Sequence, residues 1–248
     1  MYSSADRAAS AQAWQLYRDG RRAEAAAVVR SRLTQRVDDG RDLQLQGLLW
    51  HDEGRTRAAR AALESAMFLS PLEPDAWLAL AEIYERSGRR DEAQTALAAL
   101  VERSDLSEAL MPRVAALSGR LGDARVALEL CRRALLRDPD CDEALFGAAC
   151  YMRRLAFPNE TIAGLLRRAV RLDPHCCLYR RTLANLLMSM NQSAEAYAHY
   201  RHVPLDQVCC AGCLRTMHEV FDRAGDATRR DAVADRLALI TQQANEQE

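Results

Sequence analysis

The stretch DAWLALAEIYERSGRRDEAQTALAAL, Asp75–Leu100, decides the fold. Trp77, Leu80, Ala81 and Tyr84 recur at three and four residues, which puts them on one face of a helix. Gly88 stops that helix in a left-handed or tight conformation. Ala93, Leu97 and Leu100 then form the inner face of a second helix. Small residues such as Ala81 and Ala93 let the two helices approach closely. The segment predicts a helix–turn–helix hairpin turning at Gly88.

The hairpin recurs. Glycines stand at Gly20, Gly54, Gly88 and Gly122, each 34 residues from the last. Their flanks are nearly alike: RDGRRAEA, DEGRTRAA and RSGRRDEA. A fixed period of this length marks an array of one repeated supersecondary unit. The Trp77–Leu100 pattern resembles the tetratricopeptide repeat, with its W-x2-L-G/A-x2-Y…G…A-x3-L signature, and the resemblance covers nearly the whole chain. It implies an all-α fold, a right-handed α-solenoid of about seven helix-turn-helix repeats.

In this register the repeats run approximately 6–39, 40–73, 74–107, 108–141, 142–176, 177–210 and 211–244, as one continuous domain over 1–248. Asp138-Pro139 and Asp173-Pro174 close two helix pairs. The fifth repeat is one residue longer than the period, and Pro158 and Asn159 are expected to supply its turn. In the sixth, Asn191 takes the glycine place, because asparagine tolerates the left-handed region. The polar end of the seventh suits a solvent-facing C-terminal cap whose last residues fray.

Such an array leaves a concave groove. In the tetratricopeptide family, the first helix of each pair lines that groove, which grips an extended or helical peptide. Stepping along each first helix away from its core stripe gives groove positions that include Trp14, Tyr17, Gln44, Leu48, His51, Asp75, Leu78, Glu82 and Glu85. Arg113, Arg120, Arg153, Arg154 and Arg181 make the middle of the groove basic. Guanidiniums bind carboxylates in bidentate forks, so the expected partner is an acidic peptide or protein, or a C-terminal carboxylate. Genome composition alone could also explain the arginines. Arg181 and Asn185 are similar to the Lys/Asn pair of the family's carboxylate clamp. Thr216 stands where the clamp's next asparagine would be, so the full clamp is not expected.

Composition agrees with a helical chain. Aromatics are 6% while alanine and arginine abound, which favours helix over strand. The net charge of -1 gives no reason to expect nucleic acid or an anionic membrane as partner. No lysine occurs among the 34 basic residues, which excludes a Walker A lysine, a Schiff-base lysine and lysine acetylation. The start, MYSSADRAASAQAW, lacks a basic segment followed by an apolar run, and no stretch is apolar enough to span a bilayer. The expected setting is a bacterial-type cytoplasm.

Cysteines fall at repeat boundaries: Cys141, Cys176 with Cys177, and Cys209 with Cys210, followed by Cys213. Three readings stand side by side. Cys176, Cys177, Cys210 and Cys213 could converge on zinc or iron. Cys210-x-x-Cys213 at a helix start could be redox-active, because a helix N-terminus lowers a thiol pKa. Or the thiols are small hydrophobes in tight turns, with no cofactor. No H-E-x-x-H, G-x-S-x-G or phosphate-cradling glycine loop is present, so the expectation is a non-enzymatic scaffold. A metal- or redox-responsive adaptor is the alternative.

Overall fold

The structure, a computed structural model, describes residues 4–35, 39–103 and 106–245. The opening residues 1–3 of the leader reading and residues 246–248, where fraying is expected, lie outside the described residues. Among the described residues there are fourteen α-helices, one short 3-10 helix at Leu205–Gln207 and no strand.

Among the described residues, six couples of consecutive helices pack together as pairs. The first three are α1 (Ser4–Arg18) with α2 (Arg22–Gln35), α3 (Gly40–Asp52) with α4 (Thr56–Leu69), and α5 (Pro74–Arg86) with α6 (Arg90–Val101); α7 (Met111–Arg120) and α8 (Ala124–Arg137) come next along the chain. The series continues with α9 (Asp142–Arg154) and α10 (Asn159–Leu172), α11 (Cys177–Ser189) and α12 (Ser193–Tyr200), then α13 (Ala211–Arg223) and α14 (Ala227–Asn245).

One kind of turn joins the helices of each pair and recurs after α7. A left-handed residue stands at Gly20, Gly54, Gly88, Gly122, Ala156, Asn191 and Gly225. The next N–H reaches back across the turn, as in Arg89 to Tyr84 O at 2.9 Å and Phe157 to Met152 O at 3.0 Å. This is the six-to-one hydrogen bond of a Schellman cap, which satisfies carbonyls that the helix end leaves open. Asn191 takes the glycine place, with φ +60°. The fifth turn corrects the sequence reading. Ala156 makes it, at φ +58°, whereas Pro158 caps α10 and Asn159 begins it. The extra residue therefore lies after position 156, between the fifth and sixth turns.

The core follows the repeat pattern. Leu80, Ala81, Ala93 and Leu100 are fully buried in the third pair. Gly47 shows why a small residue is needed between paired helices: a Cβ there would sit 2.6 Å from Leu63 Cγ. By contrast α14 buries only Val233 among its described side chains, which suits a cap.

Contacts divide the chain into two compact units, Met1–Asp123 and Ala124–Glu248. In the first, buried polar groups add to the apolar core. Asp42, fully buried, accepts from Ser10 Oγ at 2.7 Å and Arg32 Nε at 2.5 Å, tying α1, α2 and α3 together. Asp39 caps α3 through the backbone N–H groups of Arg41 and Asp42. No described helix is long and apolar enough to cross a membrane.

Candidate functional site

In the first unit, the first helices α1, α3, α5 and α7 bring together Tyr17, His51, Asp75, Glu82 and Arg113. Glu82, almost buried, accepts from Arg113 Nη2 at 3.2 and 3.4 Å and lies 3.5 Å from His51 Nε2. Burial outweighs this carboxylate at His51, whose imidazole falls below its ordinary pKa; Nε2 makes no hydrogen bond. Burial raises the Asp75 carboxyl against the opposing pull of Arg113 and Arg18. Burial, then the Asp52 and Asp75 carboxylates, push the Tyr17 phenol up to about 12.

Two of the six expected partner-binding residues lie here. Arg113 and Arg120 are about half exposed, at 49% and 46% of their side chains. Each faces a carboxylate of α5, since Arg120 Nε donates to Glu85 at 3.3 Å. The sequence reading listed these carboxylates as groove positions but missed the pairing. Its signal was the spacing of 31 and 35 residues, about one repeat, which sets residues side by side on successive first helices.

Some expected groove positions face inward. Trp14, Gln44, Leu48 and Leu78 are buried. Gln44 holds the α4–α5 connection: its Nε2 donates to Ser70 Oγ at 2.9 Å and Pro71 O at 3.0 Å, and its Oε1 accepts from Glu73 N at 2.9 Å. A first helix packed between its own partner and the next repeat buries more of its circumference than the one stripe used to assign its faces.

In the second unit, Arg153 and Arg154 end α9, with Arg153 exposed. Arg181 and Asn185 lie a turn apart on α11. Arg153 and Arg181 form no salt bridge among the described residues. Asn185 is committed within the unit, accepting from Tyr200 OH at 2.5 Å and donating from Nδ2 to Cys213 Sγ at 3.7 Å.

All eight cysteines are free thiols. The four expected metal ligands are not gathered: among the described residues, no three His, Cys, Asp or Glu side chains assemble as a metal centre. Cys177 Sγ turns to His175 O, 3.6 Å away in its own connection, and Cys176 caps α11. Cys210 and Cys213 are brought together. Cys210 caps α13, and Cys213 stands in the first turn of the same helix. Cys131 is buried against α9, where a Cβ at Gly147 would meet its sulfur at 2.9 Å.

Comparison with known proteins agrees with this geometry. The family model described as tetratricopeptide repeat matches residues 51–111. No curated protein matches the chain in sequence. Among solved structures, PilF of Pseudomonas aeruginosa is 15% identical, with a TM-score of 0.71 over 85% of this chain and 99% of that one. A tetratricopeptide repeat protein from Parabacteroides merdae is 14% identical, with a TM-score of 0.64 over 97% and 92%. YrrB, a tetratricopeptide protein with an unusual peptide-binding site, is 13% identical, with a TM-score of 0.59 over 72% and 91%. Residues 51–111 thus match the tetratricopeptide repeat model, and the all-helical fold with its seven like turns is that of these solved tetratricopeptide structures.

Proposed function

We propose that the chain is a non-enzymatic scaffold that holds a partner protein or peptide on its first-helix faces. One observation carries the reading: half-buried polar groups from α1, α3, α5 and α7 converge on one face. Tyr17, His51 and Asp75 are all perturbed by burial there, and His51 Nε2 awaits a partner. The His51 Nε2 has lost water without gaining a hydrogen bond, which favours a ligand that completes it. YrrB, of similar fold, has a peptide-binding site, which supports the same use here.

The preferred partner is acidic, because Arg153 and Arg181 are guanidiniums without a carboxylate of their own. The repeat register runs without a break through position 123, which supports reading both units as one array. Free thiols fit a reducing compartment such as the cytoplasm, with neither membrane nor nucleic acid as partner.

The test is fluorescence anisotropy with matched acidic and neutral peptide libraries. Acidic peptides should bind, and Arg153→Glu or Arg181→Glu should weaken capture about tenfold, near 1.4 kcal/mol. Equal binding of both libraries rejects the acidic preference. Binding of neither rejects the peptide scaffold.

A further inference from the structure

Cys210 and Cys213 stand apart from the other thiols because the fold holds them as a pair. Cys210 is exposed at the cap of the thirteen-residue helix α13, and Cys213 is half-buried one turn on. The Cys210 sulfur folds back over the helix start, 3.7 Å from where a Cβ on Gly212 would lie. A larger residue at 212 would crowd that sulfur. The two thiols are close enough that each influences the other's proton. Sulfurs one helical turn apart on one face need only a small shift to reach disulfide geometry, where the Cβ atoms lie about 3.5–4.5 Å apart.

A second element aims at the same sulfur. Asn185, on α11, donates to Cys213 Sγ at 3.7 Å. Its amide is oriented by the hydroxyl of Tyr200, a fully buried side chain. Arg181, one turn earlier on α11, adds positive charge near both thiols. This is how a reactive dithiol is supported: one exposed sulfur at a helix start, one sheltered sulfur beside it, and a side chain fixing the sheltered one.

We propose that Cys210 and Cys213 are a reversible dithiol–disulfide pair, with Cys210 the attacking sulfur, Cys213 the resolving sulfur and a low-molecular-weight disulfide the oxidant. The Cys210 thiolate attacks one sulfur of the small disulfide, forming a mixed disulfide and expelling one thiolate. Cys213 gives up its proton and attacks the Cys210 sulfur, forming the Cys210–Cys213 bond and expelling the second thiolate. Two protein thiols are oxidised and one small disulfide is reduced to two thiols.

The order of attack follows from the surroundings. The Cys213 backbone N–H, then its thiol, hold Cys210 below the ordinary thiol range, whereas burial holds Cys213 above it. Burial likewise raises Cys131, Cys141 and Cys150. Closing the disulfide changes the sulfur to which Asn185 donates, so oxidation is felt on α11 beside Arg181. The pair stands independently of the partner reading, since its chemistry needs no bound peptide.

The test is to treat the full chain with oxidised glutathione and map the tryptic fragment His202–Arg215 by mass spectrometry. The wild type and Cys209→Ser should each lose two hydrogens in that fragment and regain them with a thiol reductant. Cys213→Ser should stop at a stable glutathione adduct on Cys210, and Cys210→Ser should form no disulfide there. Alkylation of Cys210 should reach half its maximal rate at lower pH than alkylation of Cys213. A persistent adduct in the wild type, a bond mapped to Cys209, or equal alkylation profiles would overturn the proposal.

Discussion

Ala156 is the residue at which the chain departs from its own rule. Five of the seven turns use glycine and one asparagine; this one holds an L-alanine at φ +58°. A Cβ in the left-handed region costs roughly 1–2 kcal/mol. Ala156→Gly removes that strain and adds some unfolded-state entropy, so a net gain of about 0.5–1 kcal/mol is expected. The reverse change, Gly88→Ala, should cost about 1 kcal/mol, because no other atom lies within 4 Å of the new Cβ and only the backbone opposes it. Urea denaturation of both variants checks the pair; a loss of stability in Ala156→Gly would show that the turn is not strained. The sequence did not reveal this turn because alanine carries no turn signal, while Pro158 and Asn159, two and three positions later, carry a strong one.

At the scale of elements, helix pairing was legible because the repeat states it several times over. First helices start at Ser4, Gly40, Pro74, Met111, Asp142, Cys177 and Ala211. The faces were less legible. Gln44 reads as an exposed polar residue, yet α3 uses it to fasten the connection between α4 and α5. Gln44→Leu keeps the volume but leaves the Glu73 N–H and the Pro71 carbonyl without their partner. The expected loss is about 2 kcal/mol, the order of one or two unmet buried hydrogen bonds. Thermal unfolding measures it, and a change below a few tenths would mean that water replaces the amide. The same limit applies to the candidate site. Arg113 and Arg120 were found as types at the right spacing, but their carboxylates sit one repeat away, visible only when successive first helices are laid side by side.

Across the whole molecule, arginine supplies every basic side chain, so each ion pair described here rests on a guanidinium or a histidine. Guanidinium stays charged at any pH the fold survives, and the pH dependence of stability falls to other groups. His51 and His199, disfavoured as cations chiefly by burial, bind protons less readily folded than unfolded. Stability therefore declines as pH drops below the ordinary imidazole value of 6.5. Tyr17 and Tyr84 rise from 10.0 to about 12, chiefly by burial, so the folded state holds more protons in that window and stability declines as pH climbs through it. Urea midpoints across this range should trace both declines, and His51→Gln should flatten the acid limb alone. A flat alkaline limb would contradict the tyrosine assignment.

The all-arginine surface also governs how the protein can be handled. Dyes, biotin esters, resins and aldehyde fixatives that seek primary amines find no side chain to join, only a backbone amino terminus. Covalent tagging must then go through sulfur, and the most accessible sulfurs are Cys209 and Cys210. A maleimide label meant as a neutral reporter would therefore land on Cys209 or on Cys210, the attacking thiol of the proposed pair.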